Sequence, residues 1–226
     1  MKIILTGATG MVGEGVLFEC LKNPDVEEIL LINRQKYKGG KNPKLKEFIV
    51  LNFFDLSQVK SALGGYDACF FCAGVSSIGM SEKDYMRVTY DMTLSFAKTL
   101  LELNTQMVFC YVSGAYTDSS EKGKIMWARV KGKTENALQR LPFRKVYNFR
   151  PGFMEFSEGQ KNVKGRYKFL YRILLPIFKI FAKKMICRLS EVGSAMINSV
   201  KIGYPKSVLE IEDIKTLAKE KDYKKL

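Results

Sequence analysis

Residues 2–13 read Lys2-Ile3-Ile4-Leu5-Thr6-Gly7-Ala8-Thr9-Gly10-Met11-Val12-Gly13, and the order of residue types in them decides the fold. Lys2 to Thr6 is an apolar run of strand length that stops at a glycine cluster. Beyond it, Val12, Val16, Leu17 and Leu21 recur at helical spacing. The stretch therefore predicts a strand, a tight glycine turn and a helix. In that setting Gly7 permits the turn, Gly10 lets backbone N–H groups approach a ligand, and Gly13 lets the helix pack closely on the strand. A helix beginning there points the positive end of its dipole at the turn. The turn thus suits an anionic group of diphosphate type, and the spacing reads as dinucleotide binding.

Outward from this unit the pattern repeats. Short buried strands are predicted at 27–33, 47–51, 67–72, 107–113 and 145–149. Helical periods lie between them, at about 57–63, 82–104, 121–141 and 190–202. Alternation of this kind implies a doubly wound parallel sheet covered on both faces, of Rossmann type, in the order 3-2-1-4-5-6. No internal repeat or Pro/Ser-rich linker divides the 226 residues, so a single domain, 1–226, is expected. Within it, 153–205 is expected to form a small helical lid over the carboxyl ends of the strands.

Composition narrows the chemistry. The chain has no histidine, which excludes a Ser-His-Asp triad, a His-dependent zinc site and an imidazole base; no metal site is expected. Five cysteines, an odd number, argue for a reducing compartment, and with no apolar segment of membrane-spanning length a cytoplasmic location is expected. Cys69 and Cys72 lie three apart on a predicted strand, so they point to opposite faces and read as packing residues. The net charge of +14 favours anionic partners, among which a phosphate-rich cofactor and an anionic small molecule stand ahead of nucleic acid.

These residues resemble the short-chain dehydrogenase/reductase superfamily, in its extended or atypical, epimerase-like branch. The glycine spacing G-x-x-G-x-x-G in TGATGMVG carries the resemblance. So do, in chain order, Asn52-Phe53-Phe54-Asp55-Leu56, Phe71-Cys72-Ala73-Gly74, Val88-Thr89-Tyr90, Tyr111-Val112-Ser113 and Asn148-Phe149-Arg150-Pro151-Gly152. It covers residues 1 to about 155, and the pattern is most similar to the small NADP-binding proteins of TIP-thirty-like type, some of them regulatory. The resemblance implies that Gly7, Thr9, Gly10, Met11 and Val12 hold the diphosphate, with Gly13 completing the cofactor-binding motif. Asp55 and Leu56 would border the adenine, and Cys72, Ala73 and Gly74 the adenosine ribose. Val112, Pro151 and Gly152 would also contact the cofactor, with Lys131 on the nicotinamide ribose. Ser113 would orient a substrate carbonyl.

Charge argues for the cofactor. NAD-preferring sites place an acid about 20 residues past the glycine motif. Here the chain reads Ile32-Asn33-Arg34-Gln35, and Arg34, backed by Lys36 and Lys38, suits a 2′-phosphate. NADP is expected, ahead of NAD.

The family pairs a tyrosine with a lysine four residues on. In the matching stretch Lys131 is present, but Trp127 stands at the tyrosine position, and an indole N–H cannot exchange a proton near neutrality. Realigning on Lys133 puts Arg129 there instead. Tyr116 and Tyr111 are the nearby hydroxyls, Tyr116 being the substitute acid to test and simple packing the plainer role for both. Two functions follow: a degenerate NADP-dependent oxidoreductase or epimerase-like enzyme, or a non-catalytic NADP(H) sensor that binds a partner. The basic aromatic segment 166–184 is open to three readings. It suits a lid meeting an anionic substrate, a surface helix with snorkelling lysines, or a peripheral membrane contact.

Overall fold

The computed structural model describes residues 1–163, 165, 173, 175 and 183–220. Among them a seven-stranded, all-parallel sheet has the order β3-β2-β1-β4-β5-β6-β9. The strands are β1 (Lys2–Thr6), β2 (Glu28–Asn33), β3 (Leu45–Ile49), β4 (Ala68–Phe71), β5 (Val108–Val112), β6 (Lys145–Phe149) and β9 (Val208–Leu209). The central β1 pairs Ile3 with Ile29 on one side and with Ala68 on the other. Its apolar run is needed because both faces are covered.

Alternation along β1 divides the core into two layers. Ile3 and Leu5 pack with Val16, Leu17 and Cys20 of α1 (Met11–Lys22) and with Val192, Ala195 and Met196 of α5 (Leu189–Lys201). Ile4 faces the opposite layer, with Leu94, Phe96 and Leu100 of α3 (Met92–Leu103) and Leu138 of α4 (Met126–Gln139). Helix α2 (Glu82–Met86) runs into α3 through a π-turn at Arg87–Asp91.

The seventh strand and its flanking helices change the expected outline. Helix α5 and α6 (Ile211–Lys219) lie in the first layer, where Leu189, Val192, Leu209, Ile214 and Leu217 are buried. Gly15 and Gly193 let α1 and α5 approach closely: a Cβ at Gly15 would lie 2.7 Å from Leu189 Cβ, and one at Gly193 2.8 Å from Glu19 Cβ. The carboxyl-terminal part of the expected lid is therefore built into the main core. The apolar stripe of 189–201 requires this burial. A small parallel pair, β7 (Phe153–Glu155) and β8 (Ile186–Arg188), brackets the remainder, and most of 166–184 lies outside the described residues.

Candidate dinucleotide-binding site

The glycine turn joins β1 to α1 at the carboxyl edge of the sheet. Gly7 has φ +74°, and a Cβ there would lie 2.7 Å from the Cys72 carbonyl, so the loop sits directly against the end of β4. A Cβ at Gly13 would fall inside the Gly7 carbonyl. The Gly10 N–H donates to Gly7 O at 2.9 Å, closing the turn, and Ala73 N–H donates to Thr6 Oγ1 at 3.1 Å, which pins the next loop alongside. No side chain caps the α1 N-terminus, where Gly10 is the N-cap. Its first-turn N–H groups, which a helix leaves unpaired, are open to an anion.

A cleft of about 360 Å³ opens from this turn, lined by Gly7, Thr9, Gly10, Arg34, Cys72, Ala73 and Gly74, all expected from the sequence. Asn33, Phe53, Val75, Ser76, Val88 and Met92 complete it. Of these, Val88 and Met92 sit on the π-turn and the start of α3, where the widened turn sets both toward one cleft.

Asn33 ends β2 and is 1% exposed. Its Nδ2 donates to Glu47 Oε1 at 2.8 Å, and the same oxygen accepts Tyr37 N–H at 2.9 Å. Because a carboxylate only accepts, the amide is oriented, and its Oδ1 is left without a partner among the described residues. A buried acceptor lining a cleft in this way fits a ligand hydroxyl. The uncapped helix, the glycine cradle and this orphaned oxygen together fit an adenine dinucleotide.

Several expected residues stand elsewhere. Leu56 is buried in the core, and Asp55 is exposed, its Oδ1 accepting Ser57 N–H at 2.9 Å; Phe53 is the residue of that segment that lines the cleft. The Asn52–Asp55 turn faces Phe53 inward, and sequence spacing alone does not reveal this. Val12 and Val112 pack partly buried against the core, and Met11 lines an adjoining cleft. Pro151 O accepts Ala115 N–H at 2.9 Å, and Gly152 sits against Met185 O. Cys72 borders the cleft, with burial pushing its thiol well up.

Behind the turn lies a buried polar group that sequence spacing did not reveal. Ser113, 5% exposed, donates its hydroxyl to Glu135 Oε1 and also lies 3.1 Å from Phe149 O. Glu135 is fully buried and meets Arg150 Nε at 3.0 and 3.2 Å. Arg150 in turn reaches Glu210 at 3.0 Å and Ser119 Oγ at 2.6 Å. Lys131 donates to the Ser113 carbonyl; burial pushes its ammonium down to about 8, although Glu135 pulls the other way. Trp127 is half-buried four residues before Lys131, on the same face of α4. Tyr116 is exposed at φ +66°, and its hydroxyl reaches Met185 Sδ at 3.8 Å. Tyr111 is buried, which pushes its phenol far up, out of any neutral proton exchange. In sequence, Glu135 has no mark beyond its place one turn after Lys131, its partner Arg150 lying on another element.

The chain matches the model of the NAD dependent epimerase/dehydratase family over residues 3–134, more than half its length. It belongs to that family. Among curated relatives of this family member, "Protein fmp52, mitochondrial" of Emericella nidulans is 27% identical over 159 residues, 68% of this chain and 66% of the relative. "Protein HTATIP2" of Rattus norvegicus is 27% identical over 156 residues, 68% of this chain and 62% of the relative. The match thus spans just under two thirds of these relatives' lengths. Among solved structures, UDP-glucose 4-epimerase of Thermotoga maritima superposes with a TM-score of 0.68 at 13% identity. That superposition covers 97% of this chain and 82% of the epimerase, and at such identity it speaks for the fold. As in the sequence reading, the family's nucleotide-binding Rossmann architecture is present. Among the described residues, no helix is long and apolar enough to cross a membrane.

Proposed function

We propose that this protein binds NADP(H) at the glycine turn and is an oxidoreductase or epimerase-like enzyme whose proton-transfer residue has been replaced by Trp127. One observation supports the cofactor choice: Arg34 lines the cleft and, among the described residues, no acidic side chain does. A guanidinium there is suited to pair with a 2′-phosphate through its planar fork, while Lys36 and Lys38, close to it in sequence, line a separate cleft with Tyr37. Asn33 Oδ1 is suited to accept from the neighbouring ribose hydroxyl. That same oxygen would serve a 2′-hydroxyl, so NAD is the second cofactor to test.

A bound nicotinamide supplies or takes up hydride. The chain's part is to hold, orient and exchange the accompanying proton. Lys131, placed beside the Ser113 carbonyl and one turn after Trp127 on α4, is suited to a ribose hydroxyl. Ser113 keeps its hydroxyl on Glu135 and Phe149 O, which suits structure better than substrate orientation. A positioned acid typically contributes about 10²–10⁴-fold, so ordinary carbonyl reduction should be slow. The committed Ser113 hydroxyl favours a second reading: a non-catalytic NADP(H) sensor whose partner binding follows cofactor occupancy. The substrate on the enzymatic reading is an anionic small molecule, in keeping with the +14 charge.

The deciding experiment is titration with NADPH followed by turnover on a carbonyl and nucleotide-sugar panel, for wild type and Trp127→Tyr. Slow turnover that rises in the variant supports the enzyme. Binding without turnover in either protein supports the sensor, provided partner capture differs with and without cofactor.

A further inference from the structure

We propose that Lys161 is a diphosphate-binding residue, carried by a strap (residues 157–163) that the Glu14 carboxylate fastens across the first turn of α1. This placement rests on the dinucleotide reading above and adds a second wall to that site.

Glu14 is an acid in the first turn of α1, yet it is only 1% exposed. Burying a carboxylate is costly unless its oxygens are hydrogen-bonded. Here the acceptors are filled from the strap: Lys161 N–H donates to Oε1 at 3.2 Å and Asn162 N–H to Oε2 at 2.8 Å. Two further tethers reach the glycine loop itself. Gln160 Nε2 donates to Met11 O at 2.7 Å, and Asn162 Nδ2 approaches Ala8 O at 3.5 Å. Within the strap, Gln160 Oε1 accepts Ser157 N–H at 2.6 Å, Gly159 turns at φ +83°, and Val163 is buried. A segment nearly 150 residues away in sequence is thus tied at several points to the helix and the turn.

The strap leaves a cleft of about 500 Å³ between itself and the loop, lined by Thr9, Gly10, Met11, Gly74, Lys161, Asn162 and Val163. Thr9, Gly10 and Gly74 also line the first cleft, so the two adjoin at the glycine turn, and Asn33, whose buried Oδ1 has no partner among the described residues, lines the first. Lys161 is exposed, and its ammonium forms no ion pair among the described residues. Electrostatics gives it a task. A helix N-terminus offers roughly half a positive charge, and the buried Glu14 carboxylate in the same turn opposes it. A diphosphate brought to that turn needs a counter-cation, and among the described residues Lys161 is the cation that lines the facing wall.

The test is titration of the intact protein with NADPH and with adenosine 2′-monophosphate, which lacks the diphosphate. It uses wild type, Lys161→Ala, Lys161→Arg, Glu14→Ala and the double variant Glu14→Ala/Lys161→Ala, with circular dichroism verifying the fold. Lys161→Ala should weaken NADPH roughly 10-fold, as loss of a charge-assisted contact does, and should flatten its salt dependence. Affinity for adenosine 2′-monophosphate should not change, and Lys161→Arg should retain most of the NADPH affinity. Glu14→Ala releases the strap and also removes the opposing charge, so in that background Lys161→Ala should cost nothing more. Wild-type NADPH affinity in Lys161→Ala at low salt would overturn the role of Lys161 while leaving the dinucleotide site standing. Absence of dinucleotide binding in wild type would overturn both.

Discussion

Lys131 illustrates how one buried side chain couples this site to pH. Burial holds its ammonium at about 8 in the folded protein, whereas an unfolded lysine keeps its proton to near 10.5. Between those values the unfolded chain binds more protons, so this residue makes stability rise with pH from about 8 upward. Urea unfolding of wild type and Lys131→Met between pH 7 and 10 should show the difference: wild type gains relative to the variant as pH climbs. Parallel pH profiles would remove the shift.

Two further residues carry predictions of their own. On the enzymatic reading, Trp127→Tyr places a proton donor one turn before Lys131, so turnover should rise by about 10²-fold or more while NADPH affinity stays constant. Steady-state kinetics beside a binding titration separates the two effects. At Arg150→Met the fully buried Glu135 loses its cation, and breaking a buried pair from one side typically costs about 3–5 kcal/mol. Chemical denaturation reads that cost directly.

Among the elements, close helix packing makes the sharpest demand. A methyl group at Gly15 would press on Leu189 and force α1 and α5 apart, so Gly15→Ala should cost about 1–3 kcal/mol and lower the melting temperature by roughly 5 °C. A melting temperature equal to wild type would show that α5 is not seated on α1 as described. The main elements were legible because their signals are local: the apolar runs of β1, β2, β4, β5 and β6 stop where the sheet stops. Strand β3 was expected at 47–51 and found at Leu45–Ile49, since an edge strand with exposed Phe48 and Ile49 takes its register from pairing with β2, such as Leu31 with Glu47. Three-residue strands such as β7 and β8 carry too little pattern to be read at all. The role of α5 was misjudged for a different reason. A helical period shows which face is buried but not against what.

At the scale of the whole molecule, the glycine turn and the place of Arg34 just past β2 were readable because both follow from residue type in a fixed local order. Asn33, Glu14, Glu135 and the 157–163 strap were not, because each acts through a partner distant in sequence, and an acid carries no mark in the sequence that it will be buried. If the +14 charge helps to draw an anionic cofactor to the cleft, as proposed, cofactor affinity should fall as salt rises, by screening at Arg34. Family membership and fold leave the reaction open, but all of it presupposes one binding event at the carboxyl edge of β1. Calorimetric titration of the folded protein with NADPH and NADH tests that event most directly. Saturable binding of NADPH, tighter than NADH by roughly 10-fold and weakened by Arg34→Ala, is the expected result. No heat of binding from either dinucleotide at millimolar concentration would contradict the account at its root.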